Sequence, residues 1–122
     1  MLTKIKNAQA VKKESIKVNY SKMNESILKV LTSGEYIDNF EKKGQGAKRI
    51  LDIKLKYENN IGAINEIKLI SKPSRHIYIG YKEIKLVKRG YGLMVISTPN
   101  GVMNGKDARK MKIGGEILFE IW

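Results

Sequence analysis

The sequence contains no cysteine, which excludes a disulfide framework, thiolate chemistry and thiolate metal sites. It contains one histidine, His76. A catalytic or metal-binding imidazole needs convergent partners, and no His-rich or Cys-rich spacing supplies them. No apolar run reaches the roughly 18 residues of a membrane span. Lys4, Lys6, Lys12 and Lys13 interrupt the N-terminal segment, unlike the apolar stretch of a secretory signal, so a cytoplasmic address is expected. Neither a Walker-type loop nor a dinucleotide glycine fingerprint is present, and no internal repeat occurs. The carboxylates Glu83, Glu116 and Glu120 stand singly among basic residues, and Asp107 suits a helix cap. The expectation is a protein that is not an enzyme and uses no cofactor and no metal. A small hydrolase built on Glu116 and His76 is the weakest alternative.

What is present in excess is positive charge. Lys and Arg number 24 against 12 Asp and Glu, a formal net charge of +12. Self-repulsion of that size destabilises a compact chain, so a polyanionic partner is the natural explanation; a basic protein merely kept soluble by its charge is the blander one. The excess divides evenly between the two halves of the chain, so both halves are expected to face the polyanion. No basic amphipathic helix of the membrane-surface kind stands out. Lysine far outnumbers arginine. Lysine neutralises phosphate as a point charge, whereas arginine reads planar edges, so backbone neutralisation is expected to dominate affinity.

Periodicity predicts an opening helix through Leu2, Ile5, Ala8 and Gln9, with Lys4 and Lys6 on its wet side. A short strand over residues 15–18 follows. Ser21 is expected to cap a helix whose buried face carries Met23, Ile27, Val30 and Leu31, ended by a left-handed Gly34. Residues 36–40 read as a strand and the basic, Gly-containing residues 42–49 as a mobile hairpin turn. Leu51, Ile53, Leu55 and Tyr57 alternate strictly with polar residues, the clearest strand signal of the chain. Residues 58–60 read as a turn, 61–70 as extended, and 71–74 as a break. A short strand over 77–80 and a helical turn or two over 82–88 come next. Residues 93–97 are apolar on both faces, hence a central strand, followed by a turn at Pro99-Asn100-Gly101. Asn104 and Asp107 form a capping-box-like start for a helix over 105–111. The strand over 116–122 is expected to hold Ile117, Phe119 and Ile121 on one face. The order of these elements implies an α+β fold, divided into residues 1–66 and 67–122.

From Lys68 to Arg89 the basic residues are interleaved with Tyr78 and Tyr81, which suits stacking on a splayed base or sugar; a solvated rim with core tyrosines reads equally well. His76 in this stretch is expected at the surface or facing RNA. The sequence Ser97-Thr98-Pro99-Asn100-Gly101 places small hydroxyl groups after a buried strand, suited to an RNA minor groove or to an ordinary hairpin turn.

The segment from Gly90-Tyr91-Gly92-Leu93 to Ser97-Thr98, Gly101-Val102-Met103, Asp107-Ala108-Arg109-Lys110, Gly114-Gly115-Glu116-Ile117 and Trp122 resembles the small-subunit ribosomal protein eight family of bacterial type. Ser71-Lys72-Pro73-Ser74-Arg75-His76-Ile77-Tyr78 resembles its basic strand, Thr3 to Gln9 its first helix, and Tyr20-Ser21-Lys22 the start of its second. The resemblance covers nearly the whole chain in order. It implies a small N-terminal α/β layer and a compact β-rich C-terminal unit with a short helix. It further implies a primary rRNA-binding role in assembling the central domain (platform) of the small subunit. On its pattern, Lys72, Ser74, Arg75, Tyr78, Ser97, Thr98, Asn100, Gly101, Gly114, Gly115 and Glu116 would contact one rRNA helix. Thr3, Lys4, Lys6, Asn7, Ser21 and Lys22 would contact a second. The implied partners are rRNA and neighbouring small-subunit proteins, protein five foremost, with the chain a monomer within the ribosome. Family members also repress translation of their own operon; a free-standing mRNA- or DNA-binding regulator is the alternative function. Three departures carry expectations. The family's Asp-Pro-Ile-Ala-Asp-like segment does not precede Leu2, which shortens the first helix. Pro99 and Asn100 replace a serine and a lysine, stiffening the loop and removing a donor. Lys112 replaces a helix-ending glycine, forcing either a left-handed lysine at a cost of roughly 1 kcal/mol or a different helix end.

Overall fold

A computed structural model describes residues 1–122 apart from the side chain of Arg89. Among the described residues three α-helices combine with antiparallel sheets in an α+β fold. By its contacts the chain divides into two compact units, Met1–Ile64 and Asn65–Trp122. Among the described residues no helix is long and apolar enough to cross a membrane.

The first unit runs α1 (Leu2–Ala10), β1 (Ser15–Asn19), α2 (Lys22–Ser33), β2 (Ile37–Lys43), β3 (Ile50–Leu55), β4 (Tyr57–Glu58) and β5 (Ile61–Gly62). The sheet order is β1-β3-β2, antiparallel throughout. Alternation along β3 buries Leu51, Ile53 and Leu55 beside Val18 of β1 and Ile37 of β2. Ile5 and Ala8 of α1, Ile27, Leu28 and Leu31 of α2, and Ile64 complete the buried set. Asp52, between these buried β3 residues, instead accepts a hydrogen bond from Lys43 Nζ at 2.9 Å. That bond first, and the charge of Asp52 second, raise the Lys43 pKa above its ordinary value.

Some expectations are corrected here. Met23 is 45% exposed and lies off the buried stripe of α2. The basic stretch is not one loose turn: β2 continues through Lys43, and a 3-10 turn spans Gly46–Lys48. The alternating run breaks at Lys56, and Tyr57–Glu58 pairs with Ile61–Gly62 instead. Asn59 and Asn60 both have positive φ (51° and 66°), the two-residue hairpin geometry that asparagine tolerates best after glycine. Residues 61–70 are therefore not one extended run. The side chain of Gln9 closes this unit: its Oε1 accepts from Ile64 N at 3.1 Å, and its Nε2 donates to Ile64 O at 2.5 Å.

The second unit contains β6 (Ile67–Leu69), β7 (Tyr78–Ile79), β8 (Leu93–Thr98), β9 (Gly101–Asn104), α3 (Gly105–Lys110) and β10 (Gly115–Ile121). Its sheet order is β6-β10-β8-β9, with β7 also paired to β10. Met94 and Ile96 of β8 meet Ile84, Val87, Ala108 and Ile117 in one buried cluster, with Trp122 packed against it. A register shift between Ile117 and Phe119 sets Ile117 opposite Ile96 but Phe119 opposite Val95. Since Val95 and Ile96 project to opposite faces, this bulge also separates Ile117 from Phe119 and Ile121. The expected single apolar face of β10 is thus split in two. The helical segment expected over 82–88 is replaced by 3-10 turns at Tyr81–Glu83 and Lys88–Gly90. Lys88 Nζ lies 4.6 Å from the Trp122 ring centroid, within cation–π range.

All three helices end alike. The residue after the C-cap is left-handed: Lys12 (φ 57°), Glu35 (φ 63°) and Lys112 (φ 57°). Each time two backbone bonds close the end, such as Tyr36 N to Leu31 O and Glu35 N to Thr32 O, or Ile113 N to Ala108 O and Lys112 N to Arg109 O. This is the Schellman pattern. Gly34 was expected to take the left-handed position, but it stays helical (φ −81°) and Glu35 bears the strain. Lys112 resolves to the left-handed alternative.

Candidate nucleic-acid interface

Four strands of the second unit bring Tyr78, Glu116, Ser97 and Val102 into one transverse row, through the pairings Tyr78–Glu116, Glu116–Ser97 and Ser97–Val102. Residues opposite each other in an antiparallel ladder share a face, so this row presents a phenol, a carboxylate and a hydroxyl side by side. Tyr78 is 69% exposed, and Ser97 and Glu116 are half-buried. Among the described residues neither the Tyr78 hydroxyl nor the Ser97 hydroxyl has a protein partner. A flat row of donors and acceptors on a rigid sheet is what a shallow RNA minor groove accommodates.

A basic turn borders this row. Lys72 and Arg75 exchange both backbone hydrogen bonds at 2.9 Å, which puts Pro73 and Ser74 at the tip. The Ser71 hydroxyl accepts from Ile77 N at 3.0 Å and ties the turn to the entry of β7. Lys72, Ser74, Arg75 and His76 are all exposed. Sequence reasoning had joined His76 with Glu116 only as a weak hydrolytic alternative; the two do meet, His76 Nδ1 lying 2.5 Å from Glu116 Oε2. In a hydrolytic triad the imidazole stands between hydroxyl and carboxylate. Here Glu116 is registered with Ser97 and His76 is bonded to that carboxylate, while the Ser97 hydroxyl has no bond to the imidazole among the described residues.

Thr98 has a different role from Ser97. Its hydroxyl donates to Gly101 O at 2.7 Å and accepts from Asn100 N at 3.2 Å, and the residue is only 9% exposed. It braces the turn from within. Pro99 and Asn100 form the exposed tip, and Gly101 is needed for its conformation (φ +114°) because a Cβ there would meet no atom within 4 Å. The next two glycines are the reverse. A Cβ on Gly114 would lie 2.4 Å from Ile79 O, and one on Gly115 2.2 Å from Ser97 O. Their bareness lets β7 and β8 close on β10, a packing reason independent of any ligand.

On the first unit, Thr3, Lys4, Lys6 and Asn7 occupy the exposed side of α1, opposite buried Ile5 and Ala8. Lys4 and Asn7 line an open groove of about 660 Å³ together with Lys13, Ser15 and Lys17. Lys13 and Lys17 were not singled out from sequence, since only the fold sets β1 beside α1. Ser21 Oγ accepts from Asn24 N at 3.0 Å as the N-cap of α2, beside exposed Lys22. Nearby, the Tyr20 ring has Arg49 Cζ at 4.4 Å and Lys42 Nζ at 5.3 Å, positioned through the bond from Tyr20 N to Arg49 O. No cluster of metal-ligating side chains occurs among the described residues.

Comparison with known proteins finds relatives along the entire chain. Residues 1–122 match the family described as ribosomal protein S8. A small ribosomal subunit protein uS8 of Nautilia profundicola is 43% identical over 122 residues, covering 99% of this chain and 93% of the relative. The protein of the same name from Borreliella afzelii is 44% identical over 126 residues, with 100% and 93% covered. That of Mycoplasma mobile is 40% identical over 122 residues, with 100% and 92% covered. The chain belongs to the ribosomal protein S8 family.

Proposed function

We propose that this protein is a structural constituent of the small ribosomal subunit. It binds ribosomal RNA there and helps to organise the central domain, acting in the cytoplasm without catalysing a reaction. The observation that carries the reading is the full-length match to a family whose curated relatives are named small ribosomal subunit proteins. The net charge of +12 and the transverse row of Tyr78, Glu116 and Ser97 beside the turn of Lys72, Ser74 and Arg75 supply the physical means.

Lysines on both units neutralise phosphates, and the row on the second unit reads minor-groove donors and acceptors. Asn100, Gly101, Gly114 and Gly115 shape that surface, Thr98 braces it, and α1 with Ser21 and Lys22 forms the second RNA contact. Ribosomal protein five is the expected protein neighbour. If six to eight phosphates are neutralised, log K should fall by several units per decade of salt. Co-sedimentation with small subunits, together with that salt titration, tests the reading. A chain that stays in the supernatant while binding its own mRNA would be a free-standing regulator instead.

A further inference from the structure

We propose that His76 is itself an RNA-reading group, held in orientation by Glu116, and that it makes RNA affinity respond to protons. The inference rests on the RNA-binding reading above and adds a residue to it. Three observations carry it. His76 Nδ1 lies 2.5 Å from Glu116 Oε2, its side chain is 54% exposed while that of Glu116 is 19% exposed, and Glu116 stands in the transverse row between Tyr78 and Ser97.

A carboxylate only accepts hydrogen bonds, so the nitrogen facing it carries the hydrogen. That fixes the neutral ring as the Nδ1–H tautomer and leaves Nε2 without a protein partner, turned to be used outside. A neutral Nε2 accepts, which suits a 2′-hydroxyl or a base amino group. A protonated Nε2 donates, which suits a phosphate oxygen. Charge moves in the same direction. With a neutral ring the pair bears one negative charge on a surface meant for a polyanion; protonation cancels it. The other ionisable groups on elements joined to this point are Lys72 and Arg75 of the turn, Tyr78 of β7, Glu120 of β10 itself and Lys68 of β6, which pairs with Glu120. The facing residue of β8 is the neutral Ser97.

The test uses the full chain and a fragment of an irregular small-subunit rRNA helix, with a random RNA duplex as control. Affinity is measured against salt at about pH 8 and about pH 5.5, an interval in which histidines generally take up a proton. Expected is a salt slope steeper by roughly 0.7–0.9 at the lower pH, one additional phosphate contact, and tighter binding there. His76→Gln should remove the difference between the two pH values. Because the chain has one histidine, its ring ¹⁵N resonances are uniquely assigned. They should report the Nδ1–H tautomer in the free protein and a shift at Nε2 on adding RNA, and Glu116→Gln should mix the tautomers. Equal pH dependence for wild type and His76→Gln, with cognate binding intact, overturns this inference alone. Loss of any preference for the rRNA helix overturns the functional reading, and this one with it.

Discussion

The Thr98 hydroxyl bridges its own turn, donating to the Gly101 carbonyl and accepting from the Asn100 amide, while the adjacent Ser97 hydroxyl is left without a protein partner. Two neighbouring hydroxyls thus differ: Thr98 braces the turn, and Ser97 has no bond to the protein among the described residues. Thr98→Val should cost about 1 kcal/mol, the worth of a hydrogen bond with its partners left near water. Thr98→Ser should retain most of that stability. Urea denaturation of both variants checks this, and equal losses would show that shape rather than the hydroxyl holds the turn.

Ser97→Ala should leave stability within about 0.5 kcal/mol of wild type but reduce discrimination between the rRNA helix and random duplex. Tyr78→Ala should weaken RNA binding by about 1–3 kcal/mol if the ring stacks, with Tyr78→Phe close to wild type. A Phe variant as weak as Ala would mean that the phenol hydroxyl, not the ring face, makes the contact. Paired affinity measurements on the two RNAs decide.

Gly115→Ala puts a methyl group 2.2 Å from the Ser97 carbonyl oxygen, and two paired strands cannot separate locally without losing ladder bonds. A loss of about 1–3 kcal/mol is expected from such overpacking, with RNA affinity falling because Ser97 moves. Gly101→Ala is strained through its φ alone, and a cost of roughly 1 kcal/mol or more is expected. Thermal unfolding of the two variants gives the comparison.

Lys12→Gly, Glu35→Gly and Lys112→Gly should each stabilise the protein, by about 0.5–1 kcal/mol. Each relieves a left-handed side chain, less the extra freedom glycine gives the unfolded chain. Each site closes a different helix end through its own backbone bonds, so the three effects should add. Midpoints of urea unfolding for the singles and the triple test this. A destabilised Lys112→Gly variant would show that the lysine makes a compensating contact.

Signals confined to a few residues were legible in the sequence. The Ser21 cap, the Asn104–Asp107 cap and the alternation at Leu51, Ile53 and Leu55 each depend on neighbours within one or two turns. The left-handed helix end was misplaced by one residue at Gly34, because its flexibility signals a stop without fixing which residue must turn. What sequence hid was register. Residues 61–70 look extended, but Ala63 donates to Lys56, and Asn65 and Glu66 donate to Trp122, partners no local pattern reveals. The bulge near Leu118 is of the same kind. The family resemblance singled out a candidate region; which groups in it are bonded within the protein needed the coordinates.

Strand β10 is the latest-made strand of its sheet and yet lies inside it, between β6 or β7 on one side and β8 on the other. A growing polypeptide can assemble β8 with β9 and α3, but Tyr78 and Ser97 have nothing between them until Gly115 and Glu116 arrive. A chain halted before that point carries the basic residues without the surface that aligns them. Such an incomplete product lacks the transverse row altogether, because two of its members can be aligned only through the strand that comes last.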